Sequence, residues 1–594
     1  MIDLSCEELS SIGFYHVVQM LSPSSPYGRE FARKPRFYTP AEREALETEW
    51  KNIEKGIAAL RDQLDAVEKL RHYFSQLRDI RSTLHRIQTE TLDEIELFEI
   101  KRYLLQLALI APVYWQTGAD FSGIQITEEA EALCILDPDG MRLPAYSVHA
   151  APNSPLREAR NQKAALEAAL HESIGEEARR RLLEERRYWA TREEEETRSE
   201  RRRLTEALRP SAPALLRNAE AIGRIDFLLE KARIAAERGC AKPAIIKEGV
   251  RFLDMVNPKT DNLLRKAQDL KNEEAADGHF DDGRISNEQL IVERLADVNP
   301  KKSTRSKADS PSGNQIEKGL YDKGLFGGNR FDGGLAAGGS YGAGISGGGL
   351  PAGGLSADHP DAGGRNAGSQ YTGGFTPLTI DAPEGVTVIT GANMGGKSVA
   401  IRTLALNVLL CHAGFYAFSA FAELSLFDYI HLIIDDYMNE ERGVSSFAAE
   451  MMKVSSLLTD IARGNHCFSI IDEPARGTNP EEGVALVKAL VKRLSNQRSV
   501  CVVTTHFEGV SGVATACYRT AGFHNLPDSL PVGVGAQWFA RHVRYGLNPD
   551  DGTPPPRHAL TVCRLLGLDR EVVEEMERTL FPAGRSEAIC SEEE

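Results

Sequence analysis

The sequence predicts a multidomain chain in which α-helical segments with coiled-coil character precede a glycine-rich disordered insertion and an α/β domain built around a phosphate-binding loop. Three observations lead there. Apolar residues recur at three- and four-residue spacing through much of the first 240 positions. Residues 301–375 hold 21 of the chain's 51 glycines. From Phe375 onward strand-like and helix-like segments alternate, and TGANMGGKS (390–398) joins one of each. At 594 residues the chain exceeds single-core size, so two to four domains are expected.

In chain order, MIDLSCEELS carries early acids and no basic-then-apolar signal pattern, which predicts that the protein is not exported. From Pro40 to about Gln106, Trp50, Ile53, Ile57, Leu60 and Leu64 mark one helical face, with charged residues between them. YLLQLALIAPVYW (103–115) is the longest apolar run; it contains a proline and is shorter than the roughly 20 residues a membrane span needs. No membrane association is expected. ALCILDPDGMRLPAYSV (132–148) reads as a β-hairpin about Asp137-Pro138-Asp139-Gly140.

Residues 157–208 read as a very polar helical arm. Between Arg157 and Arg203, 13 Arg and Lys face 12 Asp and Glu, so the segment is nearly neutral. That balance favours a solvated arm or antiparallel coiled coil laced with i,i+4 pairs over a clamp on nucleic acid. IGRIDFLLEKARIA (222–235) is expected to pack into a core. The glycine-rich composition of 301–375 cannot bury enough apolar surface to offset the entropy of ordering it. The predicted divisions are 1–120 (helical), 121–150 (hairpin), 151–256 (helical arm and return), 257–375 (insertion or linker), 376–580 (α/β) and 581–594 (acidic tail).

Net charge is −16, whereas a dedicated duplex binder usually shows a basic excess. Nine cysteines are scattered singly with no CxxC pair, which argues against a zinc ribbon or disulfide framework and fits a reducing cytoplasm.

The chemistry concentrates after Phe375. Gly391-Ala392-Asn393-Met394-Gly395-Gly396-Lys397-Ser398 matches GxxxxGK[ST] in full, with a strand running in and a helix running out. Such a loop wraps a phosphate in backbone N–H groups and adds the positive end of a helix. Lys397 then reaches the β- and γ-phosphates, and Ser398 ligates Mg²⁺. An acid is next expected at the end of another apolar strand, and CFSIIDE (467–473) supplies it. Asp472 is placed to hold Mg²⁺ through water, and Glu473 to polarise the attacking water. The next strand ends in Thr504-Thr505-His506, where His506 is a candidate sensor of the γ-phosphate.

TGANMGGKS, GVSSFAAEM (443–451), IIDEPARGTNPEEG (470–483) and TTHF (504–507) occur in the order and style of the MutS family of ATPases. Ala392 departs from the family's usual TGPNMGGKS, and Ser446 stands where its signature has threonine. The resemblance implies an ATP- and Mg²⁺-dependent ATPase with an α-helical lever or coiled-coil region and an α/β P-loop head of ABC type. Two heads, as a homodimer or related heterodimer, would sandwich each nucleotide. The loop contacts would come from Gly391, Asn393, Met394, Gly395, Gly396, Lys397, Ser398 and Val399. Ser445 and Ser446 would face the partner's nucleotide, and Arg476, Gly477 and Thr478 would lie on the seam. SPYGREF (25–31) and IDFLLEKARIA (225–235) resemble edges of the family's lever domain, and 558–576 its closing helices. Helical pattern begins within the first 50 residues, so the family's Phe-x-Glu mismatch-reading domain is not expected.

Two functions fit this frame. Short, acidic members with GANMGGKS and DEPARGTNP resemble the ATPase subunit of a reactivase for adenosylcobalamin-dependent lysine or ornithine aminomutases; the client would then be a protein. The alternative is an ATP-gated clamp on mismatched or branched duplex DNA.

Overall fold

In the computed structural model the described residues are 4–143, 150–172, 175–261, 376–391, 396–434, 446–507, 509–523, 543–550 and 568–580, with 560 and 563 between. All of them belong to one unit, Met1–Phe280 with Gly373–Glu594; the second unit, Asp281–Thr372, contains none. The glycine-rich segment and the acidic tail therefore lie outside the described residues.

Helices dominate the first part: α1 Cys6–Ser11, α2 Phe14–Met20, α3 Pro26–Arg33, α4 Arg43–Asp62, α5 Leu64–Ser75, α6 Arg81–Arg86, α7 Glu94–Gln116, α8 Ala130–Leu136, α9 Pro155–Glu172, α10 Glu176–Leu208 and α11 Ala212–Arg238. Helix α11 is the spine, packing on α3, α4, α5 and α6. Close approach is bought with glycine: a Cβ on Gly56 would sit 2.8 Å from that of Ala232. The start of α3 is locked onto the spine because Asp226 accepts hydrogen bonds from Ser25 N and Oγ, both at 2.6 Å. Burial pushes the Asp226 carboxyl up from its ordinary value, with the Ser25 and Ser24 donors pulling the other way.

Helices α9 and α10 pair antiparallel: Arg160 and Lys163 reach Glu193, and Arg186 reaches Glu167. The expected apolar run 103–115 lies inside α7, Pro112 included. No helix among the described residues is long and apolar enough to cross a membrane.

Three readings of the sequence need correction here. Residues 132–136, expected as the first strand of a hairpin, form the end of α8. The Asp-Pro-Asp-Gly turn closes that helix: the Asp137 carboxylate accepts from Arg142 N at 2.7 Å and pairs with Lys101 at 3.0 Å, so the aspartate is held by α7. The second half of the hairpin, from residue 144, lies outside the described residues. Leu64, expected on the core face, is exposed, because α4 breaks at Gln63 and α5 starts a new register. Lastly, the α/β domain does not begin after the insertion. Strands β1 Ala244–Ile245 and β2 Val250–Met255, expected within a helical return, belong to a sheet of order β1-β5-β2-β3, whose other members are β3 Leu378–Ala382 and β5 Phe421–Leu424. Met255 pairs with Leu378 across β2 and β3, so the residues on either side of the insertion sit side by side in the sheet.

The main sheet runs β10-β9-β4-β8-β7-β6, with β4 Gly385–Thr390, β6 Tyr429–Ile433, β7 Cys467–Asp472, β8 Val500–Thr505, β9 Ala516–Phe523 and β10 Val543–Pro549. All neighbours are parallel except β9 and β10. Strand β8 is buried at every position, which explains its unbroken run Val500-Cys501-Val502-Val503. Helices α12 Lys397–His412, α13 Ser446–Ala462, α14 Pro480–Leu494 and α15 Arg570–Leu580 complete the described elements. Each strand and helix expected between Phe375 and β8 is present, and β3 and β5, which were not expected, join the smaller sheet. Helix α12 is apolar on all sides because it packs on β7 and β8 of one sheet, β2 of the other, and α2.

Candidate functional site

The candidate site forms at the carboxyl ends of β4, β8 and β7, where parallel α/β sheets place ligands. Register sets this up: Thr390 of β4 pairs with Thr505 of β8, and Asp472 of β7 with Thr504 of β8. Beyond β4 the chain passes Gly391, whose φ of +139° and contact with Thr520 leave no space for a side chain. Gly396, left-handed at φ +85°, precedes the first residue of α12. Residues 392–395 lie between, outside the described residues, and with them Asn393, Met394 and Gly395.

Lys397 is almost fully buried, and its ammonium donates to Gly391 O at 2.7 Å and pairs with Glu473 at 3.1 Å. Ser398, on the first turn of α12, is exposed.

Asp472 and Glu473 are joined through one hydroxyl. Thr504 Oγ1 donates to Asp472 Oδ1 at 2.6 Å and accepts from Glu473 N at 2.9 Å. Glu473 and Ala475 both adopt left-handed backbone, at φ +47° and +66°, which costs a non-glycine residue free energy. The Thr504 hydroxyl holds the first of these, and Glu450 of α13 accepts from Ala475 N at 3.1 Å to hold the second. Strain held by two side-chain contacts aims the Glu473 carboxylate back at Lys397. Thr504, Thr520 and Glu450 were not singled out from sequence, although two of them stand inside quoted motifs. Their roles depend on strand neighbours that local spacing does not show.

The remaining predicted residues separate. Arg476 is half-exposed, with Nη1 3.8 Å from Glu473, and Gly477 beside it is exposed. Thr478 donates to Ala475 O through its backbone and to Glu482 through its hydroxyl. Val399 accepts from Thr403 Oγ1 at 2.7 Å. His506 is exposed, its ring 4.5 Å from that of Phe507, with no bond to Lys397, Asp472 or Glu473 among the described residues. Ser445 lies outside the described residues, as does the side chain of Ser446, which opens α13.

Would these groups hold a magnesium nucleotide? The donors are a hydroxyl and a carboxylate, oxygen ligands suited to a hard cation. Among the described residues no cluster of three or more His, Cys, Asp or Glu could form an all-protein cage. Mg²⁺ commonly binds through one or two carboxylates together with substrate phosphates, so the donor set fits.

The far end of α12 is clamped to the helical region. Tyr38 N donates to His412 O at 2.7 Å, and Lys231 of α11 donates to Ala413 O at 3.1 Å and Gly414 O at 3.2 Å. Trp50 Nε1 donates to Phe415 O at 3.1 Å. Lys231 is fully buried, pairs with Glu49 at 2.9 Å and lies over the Phe227 and Phe415 rings. Burial lowers its pKa, opposed by Glu49. A cation at a helix C-terminus also meets the negative end of the helix dipole. One helix therefore carries the candidate phosphate lysine at its start and this buried clamp at its end.

Comparison with known proteins bears on the same segment. Residues 387–580 match the family described as MutS domain V. Curated relatives include Endonuclease MutS2 of Thermomicrobium roseum, 33% identical over 204 residues that cover 33% of this chain and 24% of the relative. Endonuclease MutS2 of Thermus thermophilus is 29% identical over 212 residues, covering 36% and 27%. That of Shouchella clausii is 29% identical over 189 residues, covering 32% and 22%. The matched part spans about a quarter of the length of these relatives. These matches support MutS-family membership for the part of the chain that carries the site.

Proposed function

We propose that the chain is an ATP hydrolase whose two heads close over Mg²⁺-bound ATP and thereby move the helical levers. The observation that carries this is the convergence of Lys397 of α12, Asp472 and Glu473 at the end of β7, and Thr504 of β8 within one hydrogen-bonded network. Lys397 would bind the β- and γ-phosphates, and Ser398 and Asp472 would hold the metal, which would offset charge developing on the phosphate oxygens. Before nucleotide arrives, Lys397 neutralises Glu473. When the lysine turns to phosphate, the carboxylate is released to take a proton from water. Ser445 and Ser446 of one head would face the other's nucleotide, with Arg476, Gly477 and Thr478 at the seam and His506 near the γ-phosphate.

For the client we favour a protein, as in a reactivase for an adenosylcobalamin-dependent aminomutase. The α9–α10 arm supports this, because nine of its 13 Arg and Lys are paired within the arm. Arg160, Lys163, Arg180, Arg181, Arg186, Arg192, Arg198, Arg202 and Arg203 each pair with a glutamate. Duplex binding needs basic groups left over for phosphates. The second reading, a clamp on branched or mismatched duplex, is favoured by the relatives named Endonuclease MutS2. Turnover measured at near-physiological salt separates them. The first reading expects stimulation by a purified aminomutase of this class and none by four-way-junction DNA; the reverse pattern would overturn it.

A further inference from the structure

A cavity of about 620 Å³ opens where α3, α4, α6 and α11 meet the end of α12. That size lies within the range of small-molecule sites. Its lining is layered. Tyr27, Tyr38 and Phe415 form a buried aromatic floor, and the half-buried rings of Phe31 and Phe227, centroids 6.2 Å apart and nearly parallel, form a wall.

Charge selects the ligand. Five basic side chains (Lys34, Arg36, Arg81, Arg224, Lys231) line the cavity against three acidic ones (Glu30, Glu49, Glu220), in a chain of net charge −16. The aromatic surfaces alone could attract a cation, but Lys231 already lies over the Phe227 and Phe415 rings. Arg36 is paired with Glu42, and Arg81 with Asp79 and Glu30. Arg224 is different: its ion pair is to Glu49 at 3.9 Å, and Glu49 already bonds Lys231 at 2.9 Å. It has the longest carboxylate contact of the three rim arginines, and its charge adds to the forces that lower the Lys231 pKa. An anion beside Arg224 would relieve that repulsion.

We propose that this cavity binds a small organic anion with a planar apolar body, the anionic group on Arg224 and the ring against Phe31 and Phe227. Guanidinium suits this role because it offers a planar fork to carboxylate, phosphate or sulfonate. The ligand would lie on Phe415 and Ala413, beside the buried clamp at the end of α12.

The test titrates the full chain with 8-anilinonaphthalene-1-sulfonate, an aromatic sulfonate, by fluorescence and calorimetry. We expect one saturable site per chain, weakened about tenfold or more by Arg224→Gln, the loss of one charge-assisted contact. Leu216→Trp, which fills the cavity, should abolish binding. Circular dichroism and the unfolding midpoint check that both variants fold, and either folded variant suffices. Lys397→Ala should leave the affinity unchanged, which separates this cavity from the phosphate loop. Absence of saturable binding, or equal affinity in wild type and both variants, overturns the proposal. Displacement by inorganic sulfate, at ionic strength matched with chloride, would show that a bare anion is enough and overturn the assigned ligand class.

Discussion

The hydroxyl of Thr504 ties the candidate metal ligand to the candidate base, donating to Asp472 and accepting from Glu473 N. Thr504→Val keeps the shape and removes both bonds. Turnover is expected to fall about tenfold, the worth of one hydrogen bond to a charged group, with a smaller change in KM. Steady-state kinetics checks this, and an unchanged kcat would detach Thr504 from positioning. Lys397→Ala should abolish nucleotide binding or turnover, read by calorimetry and phosphate release. Glu473→Gln should still bind ATP yet turn over about a hundredfold or more slowly; a normal kcat would mean the base is misassigned. At this scale the sequence was readable wherever a motif dictates residue type, as for Lys397, Ser398, Asp472 and Glu473. It was silent on Thr504 as their tether and on Thr520 as the wall behind Gly391, because both depend on strands that become neighbours only in the sheet.

Helix α12 is the element that connects site and helices. Removing Lys231 leaves the buried Glu49 carboxylate with only its 3.9 Å contact to Arg224, so Lys231→Met should cost about 3–5 kcal/mol. Lys231→Met with Glu49→Gln should recover much of that. Denaturant unfolding of both checks the cycle, and equal losses in the two would show that the pair is not coupled. His412 closes the same helix. Its Nδ1–H donates to the Tyr38 carbonyl at 2.8 Å, Nε2 is buried without a partner among the described residues, and burial pushes its pKa down to about 4. An unfolded histidine titrates near 6.5, so between about pH 6.5 and 4 the unfolded chain takes up a proton that the folded one refuses. Stability is therefore expected to fall as pH drops through that window, by about 3 kcal/mol in all. The wild-type minus His412→Gln difference, from denaturant unfolding at stepped pH, should show that slope; a flat difference would contradict it. None of this clamp was legible from spacing: Glu49, Lys231 and Gly414 are far apart in sequence, and a lysine on an apolar helix face reads as surface. Strands β4, β6, β7 and β8 were legible because parallel, buried strands write themselves as unbroken apolar runs, whereas β3, β5, β9 and β10 were not read.

For the whole molecule, the division into helices first and an α/β head last was readable from periodicity. Its boundary was not, because two short strands before the insertion complete a sheet whose other members follow it. The misread hairpin has the same origin: a turn signal such as Asp-Pro-Asp-Gly states that the chain reverses, not what flanks the reversal. On the proposed reading, ATP acts by pairing two heads, each supplying its signature segment to the other's nucleotide. Because Glu473→Gln should retain ATP, it is the form in which to observe that state. Sedimentation velocity of this variant, with and without Mg²⁺ and ATP, is the most direct measurement. The account predicts a shift from a 65.3 kDa monomer, or a loosely associated pair, to a stable closed dimer with ATP retained. A variant that holds ATP yet sediments as a monomer would contradict it.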